Sequence, residues 1–572
     1  MMDPVPIPEL TDSRRLTGAN LFWDLPSAII DARVHGAPGP LIAAWSRAAR
    51  TLLEGLGKAG EKLTHRIYRG GVSLLVSSPV DVLYSMCELN EAAFNAALAD
   101  PEVQADFTEA VDLAVETTRL AKLFAEESNP PLLALQHAAR RHDVPFLWDD
   151  DQVSVGYGKT ALLWTPQNLP APAEVDWSKL ESIPVALVTG TNGKSTTVRM
   201  AASIIAASGA RAGLTSTDWI RIGETILDSG DYSGTGGART LMRHPETEVA
   251  VLETARGGLL RRGLGVEKVA AALITNVAAD HLGDYGIDTV PQLIEAKFIV
   301  RRALQAGAPL ILNADDAGIV AFAATLDCTI IWFSLDPANP VMVKHLAKGG
   351  RAALLRQGVL ELVKGSQSRQ LVAAGEIPAT MDGAARHNVL NALGAMALCS
   401  VLGASDAAIH DGLASFRGDE TDNPGRGNWF EKDGVKILVD FAHNEHGMLA
   451  LAEMVSSIPS QRRLLLMGQA GDRLDGDIVD MARAACRIQP DFVVACALPG
   501  FERGRPQSEV QKLIHDAAIE SGVSALKTVL SDSPEEGTET LLGQAQRGDL
   551  LVLLTLTQRQ EVLRLVHEFV DG

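Results

Sequence analysis

The chain has 572 residues, 46% hydrophobic and 21% charged, enough apolar material for three or four ordinary domains, which excludes wholesale disorder. Its 51 basic and 71 acidic residues leave a net charge of −20, which argues against a surface built to neutralise nucleic-acid phosphates. The five cysteines (Cys87, Cys328, Cys399, Cys486 and Cys496) are scattered without a C-x-x-C pair, so neither a disulfide framework nor a cysteine zinc site is expected. No apolar run approaches the roughly 18 residues of a membrane span. The expectation is a cytoplasmic protein with neither nucleic acid nor membrane as partner.

In chain order, residues 1–164 read as a mixed α+β domain with helices over 41–56 and 102–127. Residues 165–182, rich in proline and without periodicity, read as a linker. Short apolar runs at 185–188, 249–252, 271–274 and 309–312 then alternate with helical segments, the grammar of a parallel α/β sheet, in a domain of 183–416. A second series, 435–439, 464–467, 492–495 and 550–554 with helices over 508–521 and 558–570, predicts a smaller doubly wound α/β domain of 417–572.

The strongest motif is Val185-Ala-Leu-Val-Thr-Gly-Thr-Asn-Gly-Lys-Ser-Thr-Thr197, a buried strand running through a glycine turn into a helix. Gly190 and Gly193 let the backbone N–H groups of Thr191, Asn192 and their neighbours close around phosphates. Lys194 adds charge, and Ser195, followed by Thr196, adds a hydroxyl for Mg²⁺. Downstream, Glu253 and His281 follow apolar strands, where ligands of open α/β sheets collect, so they are candidate holders of a metal beside Ser195. By position alone, a solvated strand-end acid and a satisfied loop histidine are the commoner readings. Asn388 and Asn391 share one helical face at i, i+3 and could read adenine's donor and acceptor edges, or could simply cap the helix.

Several of these segments share a resemblance. Thr189-Gly-Thr-Asn-Gly-Lys-Ser-Thr196 resembles the G-T-N-G-K-[ST]-T signature of the Mur ligases and folylpolyglutamate synthetases. Thr275-Asn-Val-Ala-Ala-Asp-His-Leu282, His387-Asn-Val-Leu-Asn391, Asn423-Pro-Gly-Arg426 and Val439-Asp-Phe-Ala-His-Asn444 resemble further Mur motifs. The resemblance implies a P-loop central domain binding ATP and Mg²⁺, with Glu253 and His281 as metal ligands and Lys297 as a carbamylation candidate. It also implies that Asn388 and Asn391 bind adenine, and that Arg426 and Asp440 are brought to the nucleotide from the C-terminal domain. Lys194, Lys297, Arg426, Asp440 and His281 are then the catalytic set.

Glu253-Thr-Ala-Arg-Gly-Gly-Leu-Leu-Arg261, Gly230-Asp-Tyr-Ser-Gly234 with Arg239, and Gly468-Gln-Ala-Gly-Asp-Arg473 resemble the Mur-like half of the cyanophycin synthetases, as Arg14-Arg-Leu-Thr-Gly-Ala-Asn20 resembles their start. The roughly 25 residues between Lys159 and the phosphate-loop strand leave no room for the ATP-grasp domain of that family. The expected activity is one ligation: a carboxylate of an amino acid or short peptide becomes an acyl phosphate, and an amino-acid amine converts it to an amide. Arg239, Arg256, Arg261 and His443 are candidates for holding substrate, although surface solvation explains each arginine equally well. The alternative is a non-catalytic nucleotide-binding subunit that regulates or scaffolds a separate ATP-grasp enzyme. A homo-oligomer is compatible with either.

Overall fold

A computed structural model describes residues 7–103 and 111–572. The chain begins with an antiparallel sheet whose strands lie in the order Glu9–Leu16, Ser27–Arg33, Gly71–Ser77, Leu63–Tyr68. The helix Gly39–Gly55 buries Leu41, Ala44, Trp45, Ala48, Ala49 and Leu52, one face at helical spacing, against this sheet. Its Trp45 indole donates to Asn90 Oδ1 at 2.8 Å, and Asn90 in turn donates to the Leu74 carbonyl at 3.1 Å, so the polar groups inside this core are paired. Of the helix expected over 102–127, residues 104–110 lie outside the described residues; the observed helix is Leu113–Glu127, started by the Asp112 side chain accepting from Ala114 N.

The helix Pro130–Arg141 and the antiparallel strands Phe146–Trp148, Val153–Val155 and Leu162–Trp164 follow. The proline-rich stretch read as a linker lies against this unit: Trp177 stacks on His142 with ring centroids 4.9 Å apart, and Leu169 and Leu180 pack on its core. The motif at 14–20 joins the N-terminal sheet to the central domain. The Thr17 amide donates to the Arg262 carbonyl at 2.7 Å and the Leu264 amide to Ala19 O at 2.8 Å. A Cβ on Gly18 would sit 2.3 Å from Leu264 O, so only glycine permits this approach.

The central sheet has eleven strands. Ala212–Thr215, Val249–Glu253, Val185–Thr189, Ala271–Ile274, Leu310–Asn313, Ile330–Ser334 and Arg351–Arg356 run parallel side by side. The four strands expected from the sequence lie within this parallel run, and both edges add antiparallel pairs, Trp219–Ile222 with Thr225–Ser229 on one side and Val359–Lys364 with Gln367–Ala373 on the other. These edge strands are hairpins, and Thr225–Ser229 and Gln367–Ala373 are largely exposed, so they lack the continuous apolar runs that mark strands buried on both faces. The phosphate-loop strand Val185–Thr189 lies in the middle, fully buried, under the helices Lys194–Ala207 and Arg386–Val401.

In the C-terminal domain Val435–Asp440, Asp549–Leu554, Arg462–Met467, Phe492–Cys496 and Thr528–Ser531 form a parallel sheet, with Asn428–Lys432 antiparallel at its edge. Helices cover both faces, giving two cores, one around Met448, Leu465 and Ile514 and the other around Leu466, Leu551 and Val562.

Candidate active site

The carboxyl ends of the central strands and the loops of the C-terminal domain enclose a cavity of about 940 Å³. Its floor is the phosphate loop. Gly190 (φ +148°) leaves room for Thr275, whose Oγ1 would lie 1.9 Å from a Cβ there, and Gly193 (φ +83°) lies against the Asn391 carboxamide. The loop is clamped from the neighbouring strand: Thr275 Oγ1 donates to Asn192 O at 2.6 Å, the Asn192 amide donates to Asn276 Oδ1 at 3.0 Å, and the Ala278 amide donates to Thr191 Oγ1 at 3.1 Å. The Thr275-Asn276 pair thus shapes the loop. Asn313 Nδ2 in turn donates to Thr275 O, and Asp316 accepts from Val277 N, which gives the Asn313-Ala-Asp-Asp316 motif a bracing role.

Lys194 opens the helix Lys194–Ala207 and donates to Thr191 O at 3.0 Å. Ser195 Oγ lies 3.4 Å from Thr217 Oγ1, which also accepts from Arg426 Nη2 at 3.2 Å, so the phosphate loop and the C-terminal domain meet on one hydroxyl. Glu253, at the end of its strand, is 2% exposed, and among the described residues neither carboxylate oxygen has a hydrogen-bond partner. An ionised carboxylate left in that state is costly, and a bound cation would offset the cost.

Lys297 is buried, and its Nζ donates to the Gly190 carbonyl at 2.7 Å. Burial first, then Lys194 and Arg256, push its ammonium well below the usual lysine range. His281 has φ +50° and sits half-exposed, with burial holding its imidazole below the ordinary value. Asp280 beside it is bound by Arg473 at 2.6 Å; burial opposes ionisation, but His443, Arg473 and His281 outweigh it and keep the carboxyl below the usual range.

From the C-terminal domain, Arg426 lies with its guanidinium 4.5 Å from the Phe441 ring centroid and its Nε buried without a partner. Asp440 ends the strand Val435–Asp440; burial raises its carboxyl to about 6 against the bond it accepts from Ala442 N at 2.8 Å. His443 is pushed down to about 4, chiefly by burial. Asn192 and Asn444 exchange reciprocal carboxamide bonds of 3.0 Å across the domain boundary.

Of the other sequence candidates, Asn388 and Asn391 line the cavity and are bonded to each other at 3.1 Å, with Asn388 also donating to Ala379 O. Arg256 lines it too, donating to His281 O at 2.6 Å and to Asp284 at 2.8 Å, and Arg261 donates to the Tyr285 hydroxyl. Arg239 does not line this cavity; it lies at the junction with the N-terminal unit, donating to Thr17 Oγ1. Thr217, Asn276, Asp280 and the cross-domain partners Asn444 and Arg473 were missed as site residues. The Arg473–Asp280 pair spans 193 positions, and only the two motifs that contain them hinted at it. Among the described residues no three His, Cys, Asp or Glu side chains cluster as a metal cage. Magnesium needs no such cage, since it keeps waters and takes phosphate oxygens.

Residues 188–399 match the model of the Mur ligase middle domain, and residues 425–555 match that of the Mur ligase, glutamate ligase domain. The chain is 37% identical over 364 residues to a cyanophycin synthetase of Trichormus variabilis, an alignment covering 64% of this chain and 39% of that protein. It spans between 39% and 46% of the length of the cyanophycin synthetases it matches. In fold it is similar to Escherichia coli FolC in complex with DHPP and ADP, with a TM-score of 0.52 and 19% identity over 67% of this chain and 89% of that one. A bifunctional folylpolyglutamate synthase/dihydrofolate synthase with Mn, AMPPNP and L-glutamate bound aligns with a TM-score of 0.50 and 20% identity, over 67% of this chain and 89% of that one.

Proposed function

The chain belongs to the Mur ligase family through its middle and C-terminal domains, and from that premise we propose that it is an ATP- and Mg²⁺-dependent ligase. It joins an amino-acid amine to a carboxylate of an amino acid or short peptide. The observation that carries this reading is Glu253, a buried carboxylate with both oxygens free beside a phosphate loop. A structural acid would be paired; one left open suits a divalent cation.

Ser195 and Glu253 would hold Mg²⁺, with His281 and, once carbamylated, Lys297 completing its protein ligands. Burial shifts Lys297 toward the neutral amine, the form that reacts with CO₂. The metal supplies charge neutralisation at the γ-phosphate. Gly190, Thr191, Asn192, Gly193, Lys194 and Thr196 cradle the phosphates, and Asn388 and Asn391 take the adenine after exchanging their mutual bond for it. The acid's carboxylate oxygen bonds to the γ-phosphorus as the bond to ADP breaks. The amine nitrogen then attacks the acyl carbon and phosphate leaves, the amine losing one proton. Arg426, with a free Nε, offsets charge on the transferring phosphate in a site that the C-terminal domain closes to water. Asp440 holds the ribose, and Arg256, Arg261 and His443 border the space left for the acid and amine.

The test is the full chain with MgATP and pools of amino acids and dipeptides. Phosphate release is expected together with a product of mass acid plus amine minus water, and a Lys194→Ala variant should lose about 10³-fold or more of both. Absence of amide product from every pool sinks the ligase reading. A biological role that survives Lys194→Ala would make the chain a nucleotide-binding scaffold for a separate ATP-grasp enzyme.

A further inference from the structure

A second cavity, of about 160 Å³, lies where the helix Pro130–Arg141, the short strand Phe146–Trp148 and the seam at Thr17 to Ala19 meet the central domain. It gathers what the ligase cavity leaves out: the motif at 14–20 and Arg239. Two ion pairs border it and cancel, Arg302 with Asp24 at 2.6 Å and Arg140 with Glu267 at 3.5 Å. Arg239 is not cancelled. Its Nη2 donates to Thr17 Oγ1 at 2.8 Å, its Nε is buried without a partner, and among the described residues no carboxylate lies within ion-pairing distance of it.

The nearest acids are already committed, Asp149 to Arg243 at 2.5 Å and Asp150 to Arg15 at 3.0 Å. Burial pushes the Arg239 guanidinium down to about 10, which still leaves it charged at neutral pH. A second polar group opens onto the same space. Gln136 is 4% exposed, and among the described residues its carboxamide has no hydrogen-bond partner. An uncancelled guanidinium and an unbonded carboxamide that line one cavity suit a polar ligand. Trp148 and Phe146 form the apolar wall, with the Trp148 ring 5.8 Å from the Arg239 guanidinium.

We propose that this cavity binds a small organic carboxylate the size of a free amino acid. Arg239 pairs with the carboxylate, Gln136 meets the amino or hydroxyl group, and the remainder lies against Phe146 and Trp148. The volume equals that of about five waters, too small for a nucleotide or a peptide. The site is separate from the ligase cavity and does not rest on the ligase reading. The two are nonetheless mechanically joined, because Arg239 belongs to the helix Thr235–Arg243, and Asp231 and Ser233, just before that helix, line the larger cavity.

The test is calorimetric titration of the full chain with L-serine, L-valine, L-asparagine and pyruvate, with L-serinamide and L-valinamide as controls lacking the carboxylate, and with inorganic phosphate. At least one carboxylate should bind at one per chain, with its amide and phosphate at least 10-fold weaker. Arg239→Met should weaken that acid at least 10-fold and Gln136→Leu at least 3-fold, while binding of a fluorescent ATP analogue, measured in parallel, stays intact and shows that each variant is folded. If Arg239→Met loses the fold, Gln136→Leu and the acid-to-amide comparison decide. The proposal is overturned if no acid binds, if phosphate binds as tightly as the acids, or if acid binding survives both substitutions, which would place it in the ligase cavity.

Discussion

Glu253 ends a strand buried from Ala250 onward, and among the described residues neither carboxylate oxygen is bonded; leaving an ionised group in that state costs several kcal/mol. Function and stability therefore oppose each other at this residue. Without metal, Glu253→Gln should raise the thermal midpoint by several degrees, because a neutral amide is cheaper to bury; with Mg²⁺ and nucleotide the order should reverse, since the variant gains little from the ion. Melting curves in EDTA and in MgADP check both signs, and a variant less stable than the parent in EDTA would mean that the carboxylate has a protein partner. His387 makes a different case. Its Nδ1 is buried without a partner, and burial alone lowers its imidazole to about 4. Between pH 6.5 and 4 the unfolded chain binds a proton that the folded chain refuses, so this term is fully present above pH 6.5 and is lost as the pH falls, by up to about 3 kcal/mol. The stability of His387→Leu relative to the parent should therefore rise steadily as urea unfolding is repeated from pH 7 down to pH 4, and a difference constant across that window would refute the assignment. Residues such as Lys194, Ser195 and Gly190 are legible in sequence because phosphate chemistry sets their spacing within one turn. The free oxygens of Glu253 are not, because an unpaired acid and a paired one read alike until the neighbours are placed.

At the scale of elements, alternation of apolar runs with helical segments identified the parallel strands, because burial on both faces writes itself as continuous Val, Leu and Ile. The antiparallel edges were missed for the same reason in reverse: Thr225–Ser229 is exposed at most positions, and its polar sequence looks like a loop. The motif at 14–20 was visible as a pattern, yet its physical sense appears only in the seam, where Thr17 and Ala19 pair with the segment of Arg262 to Leu264. Gly18 is the point of closest approach, and Gly263 (φ +79°) faces it, with any Cβ there 2.8 Å from Ala19 O. Both contacts are to backbone, which cannot rotate out of the way, so Gly18→Val should cost about 2 kcal/mol or more. The expected readout is faster proteolytic cleavage between the N-terminal unit and residue 183, with fluorescent-nucleotide affinity changed less than 3-fold. Unaltered cleavage would show that the seam yields more easily than its geometry implies.

For the whole molecule, the two α/β series were legible because each repeats its own periodicity, whereas how they hold one another was not, since the polar contacts that join them around the phosphate loop span 193 to 341 positions. Those contacts converge on the phosphate loop. Asp218 is shared by the wholly buried Arg199 of the phosphate-loop helix and by Arg559 of the C-terminal domain, the latter at 2.7 Å. Arg199 also donates to Asn423 Oδ1 at 2.6 Å, Arg473 binds Asp280, and Asn192 and Asn444 exchange two bonds. Ion pairs whose acids sit beside the cavity thus bridge the two domains, and interfaces that rely on such pairs open when the charges are removed. Arg473→Ala combined with Arg559→Ala removes both cationic anchors of the C-terminal domain while leaving Arg426 and Asp440 in place. In the absence of nucleotide the double variant should show a larger radius of gyration than the parent in small-angle scattering. Adding MgATP should restore part of the difference, because Arg426 and Asp440 would then be drawn back by the phosphates and ribose. Substrate turnover should fall through kcat more than KM if closure precedes chemistry. An unchanged radius in the double variant would locate the closing force in the Asn192–Asn444 exchange and in Arg199, which the same scattering experiment on Asn444→Ala then reads directly.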